Sequence, residues 1–336
     1  MTRAMRLHRP ASLANLQAGE IDIPEPGPGE IMVRVRAASL NFRDVLVATG
    51  VFPSPDGLIP LSDAAGEVLA VGAGVTAFAP NDRVISVFHP AWADGHVERS
   101  ALTASPGGAA PGFASETVVR PAHHFTPAPK SLSLIEAAAL PCAAVTAWRA
   151  LVVDGGVRPG ARVLVLGAGG VSLFALQFAK AAGATVVATS SSAERLDQLK
   201  ALGADHVVNY RETEAWGAAV LELTGGLGVD HVIEVGGPHT LPQSLAAART
   251  GAHIAIVGAV GGFDIDTLPF AVVQAKRLRL QGVTVGSRRD QIDMVRAIDA
   301  TGIKPVIDRV FPLADLGEAL RHQQAGRPFG KVCIEI

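Results

Sequence analysis

At 336 residues and 49% hydrophobic content, the chain is long enough to bury more than one core and so to form two domains. A formal net charge of −2 leaves no basic footprint, which excludes nucleic acid and an anionic membrane as expected partners. Two cysteines, Cys142 and Cys333, exclude a disulfide framework, and the lack of an apolar signal core or spanning run sets the expectation of a cytoplasmic protein.

Residues 1 to about 125 read as short strands punctuated by proline and glycine. The turn-rich stretch Pro24–Gly29 precedes an alternating strand, Ile31–Arg36, and further strands are expected at Glu67–Val71, Arg83–Val87 and Glu116–Val119. This is the pattern of a compact β domain. From about His89 to Gly112 runs a polar, Gly/Pro/Ala-rich loop, of a length that is usually functional or mobile. Its His89, Asp94 and His96 could hold a metal, as could His123 with His124; surface loop residues are the plainer reading.

Ser133-Leu134-Ile135-Glu136 is a capping box that opens a helix over Glu136–Leu140. Pro141 interrupts, and a second helix is expected from Cys142 to about Val153. The apolar run Val163–Leu166 then reads as a strand buried on both faces. It is followed by Gly167-Ala168-Gly169-Gly170, a helix from Val171 to Ala182, and a second β-branched strand, Thr185–Thr189.

Strand, glycine turn, helix and parallel strand give a weak glycine motif the context it needs to bind a dinucleotide. Gly167 permits the tight reversal, and Gly169 has no Cβ to hold a pyrophosphate away from the backbone. Gly170 and Val171 start a helix whose unpaired N–H groups and dipole favour phosphate. Ser172, where the fingerprint has its third glycine, is still small. About 20 residues further on, an NAD-selective protein places an acid against the ribose hydroxyls. Here stand Ser190-Ser191-Ser192, with Arg195 following. That set suits a 2′-phosphate and so NADP(H), although Ser192 would also serve as a plain helix cap.

The alternation continues: a helix near Glu214–Leu223, strand Val229–Val235, helix Thr240–Ala247, strand His253–Val257 and a last strand near Leu278–Val283. These make about six parallel strands, a doubly wound sheet in an α/β protein. After a helix at Arg289–Ala300, strands at Pro305–Phe311 and Lys331–Ile336 are expected to return to the first domain. The expected division is therefore 1–125 with 301–336, and 126–300.

Several stretches occur together in an order that resembles the medium-chain dehydrogenase/reductase superfamily, in its zinc-independent, quinone-oxidoreductase-like branch. They are Ala38-Ser39-Leu40-Asn41-Phe42-Arg43-Asp44, Leu140–Trp148, Gly167–Ser172, Gly203–Tyr210 and Phe329-Gly330-Lys331-Val332. The resemblance implies a GroES-like catalytic β domain beside a Rossmann domain, and a homodimer acting on a small-molecule substrate.

In zinc-containing relatives a Cys, a His and a Cys hold the catalytic metal. The matching positions here are Asn41, Ser62 and Cys142, a poor donor set, so no metal is expected. Some enoyl-thioester reductases of this superfamily carry a tyrosine where this chain has Phe42. The one tyrosine, Tyr210, closes the third Rossmann strand on the adenosine side.

By resemblance Asn41, Asp44 and Ser62 become the candidate catalytic residues, with loop or helix capping as the structural alternative for the first two. Thr146, Gly236, Val257, Gly258, Val283, Val285 and Lys331 join the glycine turn, the serines, Arg195 and Tyr210 as candidate cofactor contacts. An ordinary surface lysine remains the other reading of Lys331. The implied function is zinc-independent, NADP(H)-dependent hydride transfer to an activated C=C or a quinone. A zinc-free carbonyl reductase or alcohol dehydrogenase, or a non-catalytic NADPH-binding protein like the lens crystallins of this superfamily, stands as the alternative.

Overall fold

The computed structural model describes residues 1–258, 260–262 and 268–336. In chain order its strands are β1 (Thr2–Leu7), β2 (Leu16–Ile21), β3 (Glu30–Ser39), β4 (Asp63–Val71), β5 (Arg83–Ser86), β6 (Thr117–Pro121), β7 (Phe125–Pro127), β8 (Arg162–Leu166), β9 (Thr185–Ser190), β10 (His206–Asn209), β11 (Val229–Glu234), β12 (Ala248–Ile256), β13 (Arg279–Gly282), β14 (Ile307–Pro312) and β15 (Lys331–Glu335). The helices are α1 (Phe42–Ala48), α2 (Leu134–Ala138), α3 (Val145–Trp148), α4 (Gly170–Ala181), α5 (Ala193–Ala201), α6 (Trp216–Leu223), α7 (Leu241–Ala247), α8 (Phe270–Ala275), α9 (Arg288–Thr301) and α10 (Leu316–Gln324).

The chain forms two compact units, Met1–Val145 with Val285–Ile336, and Thr146–Thr284. The changes fall later and earlier than the expected 125/126 and 300/301, because the flanking helices pack on the β unit. α2 lies on β3 and β4. α9 is fastened by Gln291, whose amide donates to Ser86 O at 3.0 Å and Thr126 Oγ1 at 2.7 Å. The expected capping box is present: Ser133 Oγ accepts from Glu136 N, and Glu136 Oε2 accepts from Ser133 N at 2.7 Å. Beyond it, the expected single helix is instead π-helical over 140–144 and 149–153, on either side of α3. Pro141, which has no N–H to give, sits at the start of the first of these.

In the β unit the long strand β3 is the organiser. It pairs antiparallel with β4, with β6 along its first half and with β15 at its end. The expected alternation holds over its first half: Ile31, Val33 and Val35 are buried against Phe78, Phe113 and Phe125. It then gives way to Ala37-Ala38-Ser39, buried without alternation: α2 packs on β3, and Ala38 joins a second core with Leu316, Ala319 and Leu320 of α10. β1, β2 and α10 were not singled out in the sequence; α10 contributes Leu316, Ala319 and Leu320 to that core.

The second unit is a six-stranded sheet in the order β10-β9-β8-β11-β12-β13. Every pairing in it is parallel. The strand order reverses between β8 and β11, which is where ligands bind in open α/β sheets. α4 buries Leu173, Phe174, Leu176 and Phe178, each contributing about 2 kcal/mol of apolar burial. β13 pairs with β12 alone among the described strands, so its outer side is a sheet edge.

Candidate active site

The β unit gathers a buried polar network from stretches far apart in the chain. β3 ends at Ser39, Asn41 caps α1, Ser62 and Asp63 lead into β4, and Lys331 opens β15. The register Cys333↔Ser39 together with Ser39↔Asp63 lays these ends side by side. Lys331 Nζ donates to Leu40 O and to Asn41 Oδ1, both at 2.6 Å. Asn41 Nδ2 donates to Ser62 Oγ at 3.2 Å, and Ser62 Oγ donates to Asp63 Oδ1 at 2.8 Å. Asp63 Oδ2 accepts from Cys142 N at 3.1 Å and lies 3.9 Å from Lys331 Nζ. Lys331 is 4% exposed, which overturns the reading of it as a surface lysine.

Local backbone strain helps to aim Ser62. The preceding Leu61 is fully buried at φ 73, in the left-handed region that costs a non-glycine residue energy. It is pinned there by Phe113 N, which donates to Pro60 O and Leu61 O at 3.0 Å, and by Gly107 and Gly112, where a Cβ would meet the Leu61 backbone.

The arrangement does not suit zinc. The two amide and hydroxyl positions are bonded to each other, and a buried ammonium occupies the corner where a dication would need negative donors. Burial, and then the charge of Asp63, push the Cys142 thiol far above its ordinary value, so within this network it is held as a neutral thiol. In the long loop, His89 is buried while Asp94 and His96 are exposed. Burial drives the His89 imidazole down to about 4, and His124 likewise. Among the described residues no three metal-ligating side chains converge.

Asp44, the third catalytic candidate, closes a capping box: its Oδ2 accepts from Asn41 N at 2.7 Å. Its Oδ1 has no hydrogen-bond partner among the described residues, and Arg43 Nη1 lies 3.8 Å from it. Burial raises the carboxyl from 3.8 to about 6. A folded value above the unfolded one means that Asp44 contributes stability below about pH 4 and that this is lost as pH rises through about 6. The change amounts to about 3 kcal/mol. Asp44→Asn keeps an oxygen for the Asn41 N–H but cannot titrate. Its unfolding free energy should therefore stay level between pH 4.5 and 7.5 while that of the wild type falls. Urea unfolding at the two pH values checks this; parallel curves would refute it.

Arg43 was not singled out in the sequence. Its guanidinium donates to Pro106 O at 2.9 Å and Ser105 Oγ at 2.8 Å and lies over the Phe88 ring. It thereby fastens the long loop onto α1. Trp92 in that loop is buried, and its Nε1 donates to Gly95 O.

The second unit carries the nucleotide candidates on one edge. Because all six strands are parallel, their carboxyl ends collect Gly167 after β8, Ser190 and Ser191 at the end of β9, and Tyr210 after β10. Gly236 follows β11, Val257 and Gly258 follow β12, and Val283 follows β13. Gly167 has φ 71 and makes the reversal. At Gly169, the N-cap of α4, a Cβ would meet nothing within 4 Å, and no side chain caps the helix. That open, uncapped turn is the cradle a pyrophosphate needs. Ser172 Oγ donates to Leu166 O at 2.6 Å, tying helix to strand. Ser192 does cap α5, accepting from Arg195 N at 3.4 Å. Thr146 is buried in α3, and Val285 is buried at φ 57, rare for a β-branched residue.

Glu234 was overlooked, and it organises the turn after β11. It is fully buried, and its Oε1 accepts from Gly236 N, Gly237 N and Thr240 Oγ1 at 2.8, 3.0 and 2.6 Å. Its Oε2 accepts from Ser244 Oγ at 2.5 Å. The available signal was a carboxylate closing an apolar strand just before two glycines.

Known proteins agree with this layout. The alcohol dehydrogenase GroES-like domain family matches residues 27–130, and the zinc-binding dehydrogenase family matches residues 170–300. A zinc-type alcohol dehydrogenase-like protein of Schizosaccharomyces pombe is 43% identical over 329 residues, 96% of this chain and 95% of its own. A solved NAD-dependent alcohol dehydrogenase superposes with a TM-score of 0.91 at 38% identity, covering 99% of both chains. A crotonyl-CoA carboxylase/reductase solved in complex with NADP superposes at 0.88 and 27% identity, covering 99% of this chain and 94% of its own. With both family patterns in sequence on one chain and relatives aligned along its whole length, this chain belongs to the medium-chain dehydrogenase/reductase superfamily and is an oxidoreductase of the alcohol dehydrogenase and enoyl reductase type.

Proposed function

We propose that the chain is a zinc-independent, NADP(H)-dependent reductase of an activated C=C bond, in an enone or a quinone. The observation that carries this reading is the Lys331–Asn41–Ser62–Asp63 network at the positions where zinc relatives hold their metal. NADP(H), held on the second unit's glycine turn, would supply the hydride for the β-carbon, and solvent water would supply the proton that the enolate takes at its α-carbon. Reduction of a simple ketone builds full alkoxide charge on oxygen, which a metal stabilises well. Conjugate reduction spreads the charge onto an enolate oxygen, for which fixed donors suffice. Asn41 donates one N–H to Ser62 and has a second available for that oxygen. Lys331, bonded to the Asn41 carbonyl, makes the amide a better donor and orients it. Gly169, Gly170 and Val171 would hold the pyrophosphate; Gly236, Val257, Gly258 and Val283 would line the rest of the same sheet edge.

Turnover of NADPH with a panel of enones, quinones, ketones and aldehydes tests the reading, together with elemental analysis. Enone or quinone reduction with far less than one zinc per chain is expected. Stoichiometric zinc lost together with activity, or turnover of alcohols and ketones alone, would overturn it.

The choice of NADP(H) rests on Ser190, Ser191 and Arg195 where an NAD-selective chain has an acid. A charge-assisted bond to the 2′-phosphate contributes roughly 1.5–3 kcal/mol, or about 10- to 150-fold in affinity. Arg195→Ala should weaken NADPH by about that factor and leave NADH nearly unchanged. Equal weakening of both, measured by fluorescence titration, counts against the assignment. The unpaired side of β13 supports a homodimer built edge to edge across a two-fold axis. Light scattering should then give twice the chain mass.

A further inference from the structure

The parallel sheet has a second end. Opposite the glycine turn, about 16 Å away along β8, the amino ends of β8, β11, β12 and β13 surround a pocket of about 540 Å³. Its charged lining residues are Asp154, Arg158, Asp230, Arg249 and Arg279. Both carboxylates are already matched. Asp154 pairs with Arg149 at 3.0 Å, and Asp230 pairs with Arg249 and with Arg162 at 3.3 Å. The lining thus sets three guanidiniums against two carboxylates, and Arg149 and Arg162 from outside it share in matching those carboxylates. Arg158 and Arg279 make no ion pair or side-chain hydrogen bond among the described residues.

A second observation points the same way. His231 and His253 stand side by side in the parallel register, and His253 is in register with Arg279. They are 7% and 2% exposed, with ring centroids 6.1 Å apart. His231 Nδ1 and both ring nitrogens of His253 lack a hydrogen-bond partner among the described residues, although buried polar atoms are ordinarily satisfied. His231 lines the pocket, so an unsatisfied imidazole lies beneath a rim of unmatched cations. The rim is also kept open: at Gly156 and Gly160 a Cβ would meet nothing within 4 Å.

We propose that this pocket binds a small polyanion of the phosphate class, seated on Arg158, Arg249 and Arg279 above His231, separately from the cofactor. Forked guanidiniums bind phosphate oxygens in pairs, and two unmatched guanidiniums beside a third favour a polyvalent anion over a monocarboxylate. The site does not depend on which substrate the enzyme reduces.

The test is calorimetric titration of the full chain, saturated with NADPH, with inorganic pyrophosphate and with phosphate. One saturable site per chain is expected, tighter for pyrophosphate and weakened by added chloride. Arg158→Gln, at an exposed position away from the β13 edge, and Arg279→Gln, at the start of that edge and therefore checked by light scattering for an unchanged mass, should each lower pyrophosphate affinity by about 10-fold or more. Their melting temperatures and NADPH affinities should match the wild type. Absence of saturable binding overturns the proposal. So does binding seen only without NADPH, which would place the anion in the cofactor cradle. Binding untouched by either variant is adventitious and overturns it as well.

Discussion

Gly169→Val should leave the chain folded and raise the dissociation constant for NADPH by about 100-fold or more, a loss near 2.7 kcal/mol. The backbone at Gly169 has φ −79 and ψ 170, which any residue adopts, and a Cβ there would meet no protein atom within 4 Å. Valine at this N-cap position costs the fold on the order of 1 kcal/mol. The branched side chain would stand where the pyrophosphate must approach the first N–H groups of α4. Gly167→Val is the informative contrast. Gly167 sits at φ 71, where a β-branched residue is strained, so that variant should lose stability as well as binding. Fluorescence titration with NADPH beside a thermal melt separates the two effects. If Gly169→Val binds NADPH like the wild type, the cradle is not the cofactor site.

Lys331→Met should destabilise the protein by about 3–5 kcal/mol and lower turnover. Removing one partner of a buried pair leaves the other charge without compensation. Asp63 is fully buried, and the nearest cation is Lys331 Nζ at 3.9 Å. The Asn41 carbonyl and Leu40 O lose their donor in the same step. Methionine fills a similar volume, so little of the loss is packing. Adding Asp63→Asn to Lys331→Met removes the stranded charge and should restore part of the stability. Urea unfolding of the single and double variants is the measurement. An unchanged midpoint for Lys331→Met would mean that the ammonium contributes nothing to the fold.

The sequence by itself determined what local pattern can determine. Short apolar and β-branched runs placed five of the six Rossmann strands, and local spacing placed the capping box at Ser133–Glu136 and the glycine turn, because each is written within a few neighbouring residues. The glycine turn and Ser190–Ser192 could be named from that pattern, whereas Gly236, Val257, Gly258 and Val283 came from the family resemblance, in keeping with a parallel sheet that puts every strand's carboxyl end on one side. β1, β2 and α10 escaped because their apolar faces are short; α10 shows only Leu316, Ala319 and Leu320 at helical spacing. The Lys331–Asn41–Ser62–Asp63 network was beyond local reading. Asn41 and Lys331 are 290 residues apart, and only the pairing of β15 with β3 brings an ammonium onto that amide. The same sequence neighbourhood would have suited a solvated lysine. Burial decides between the two, since a charge withdrawn from water must find partners, and it is the fold that supplies Leu40 O, Asn41 and Asp63. Glu234 follows the same rule, as its four donors lie within ten residues but converge only when the turn after β11 closes around the carboxylate.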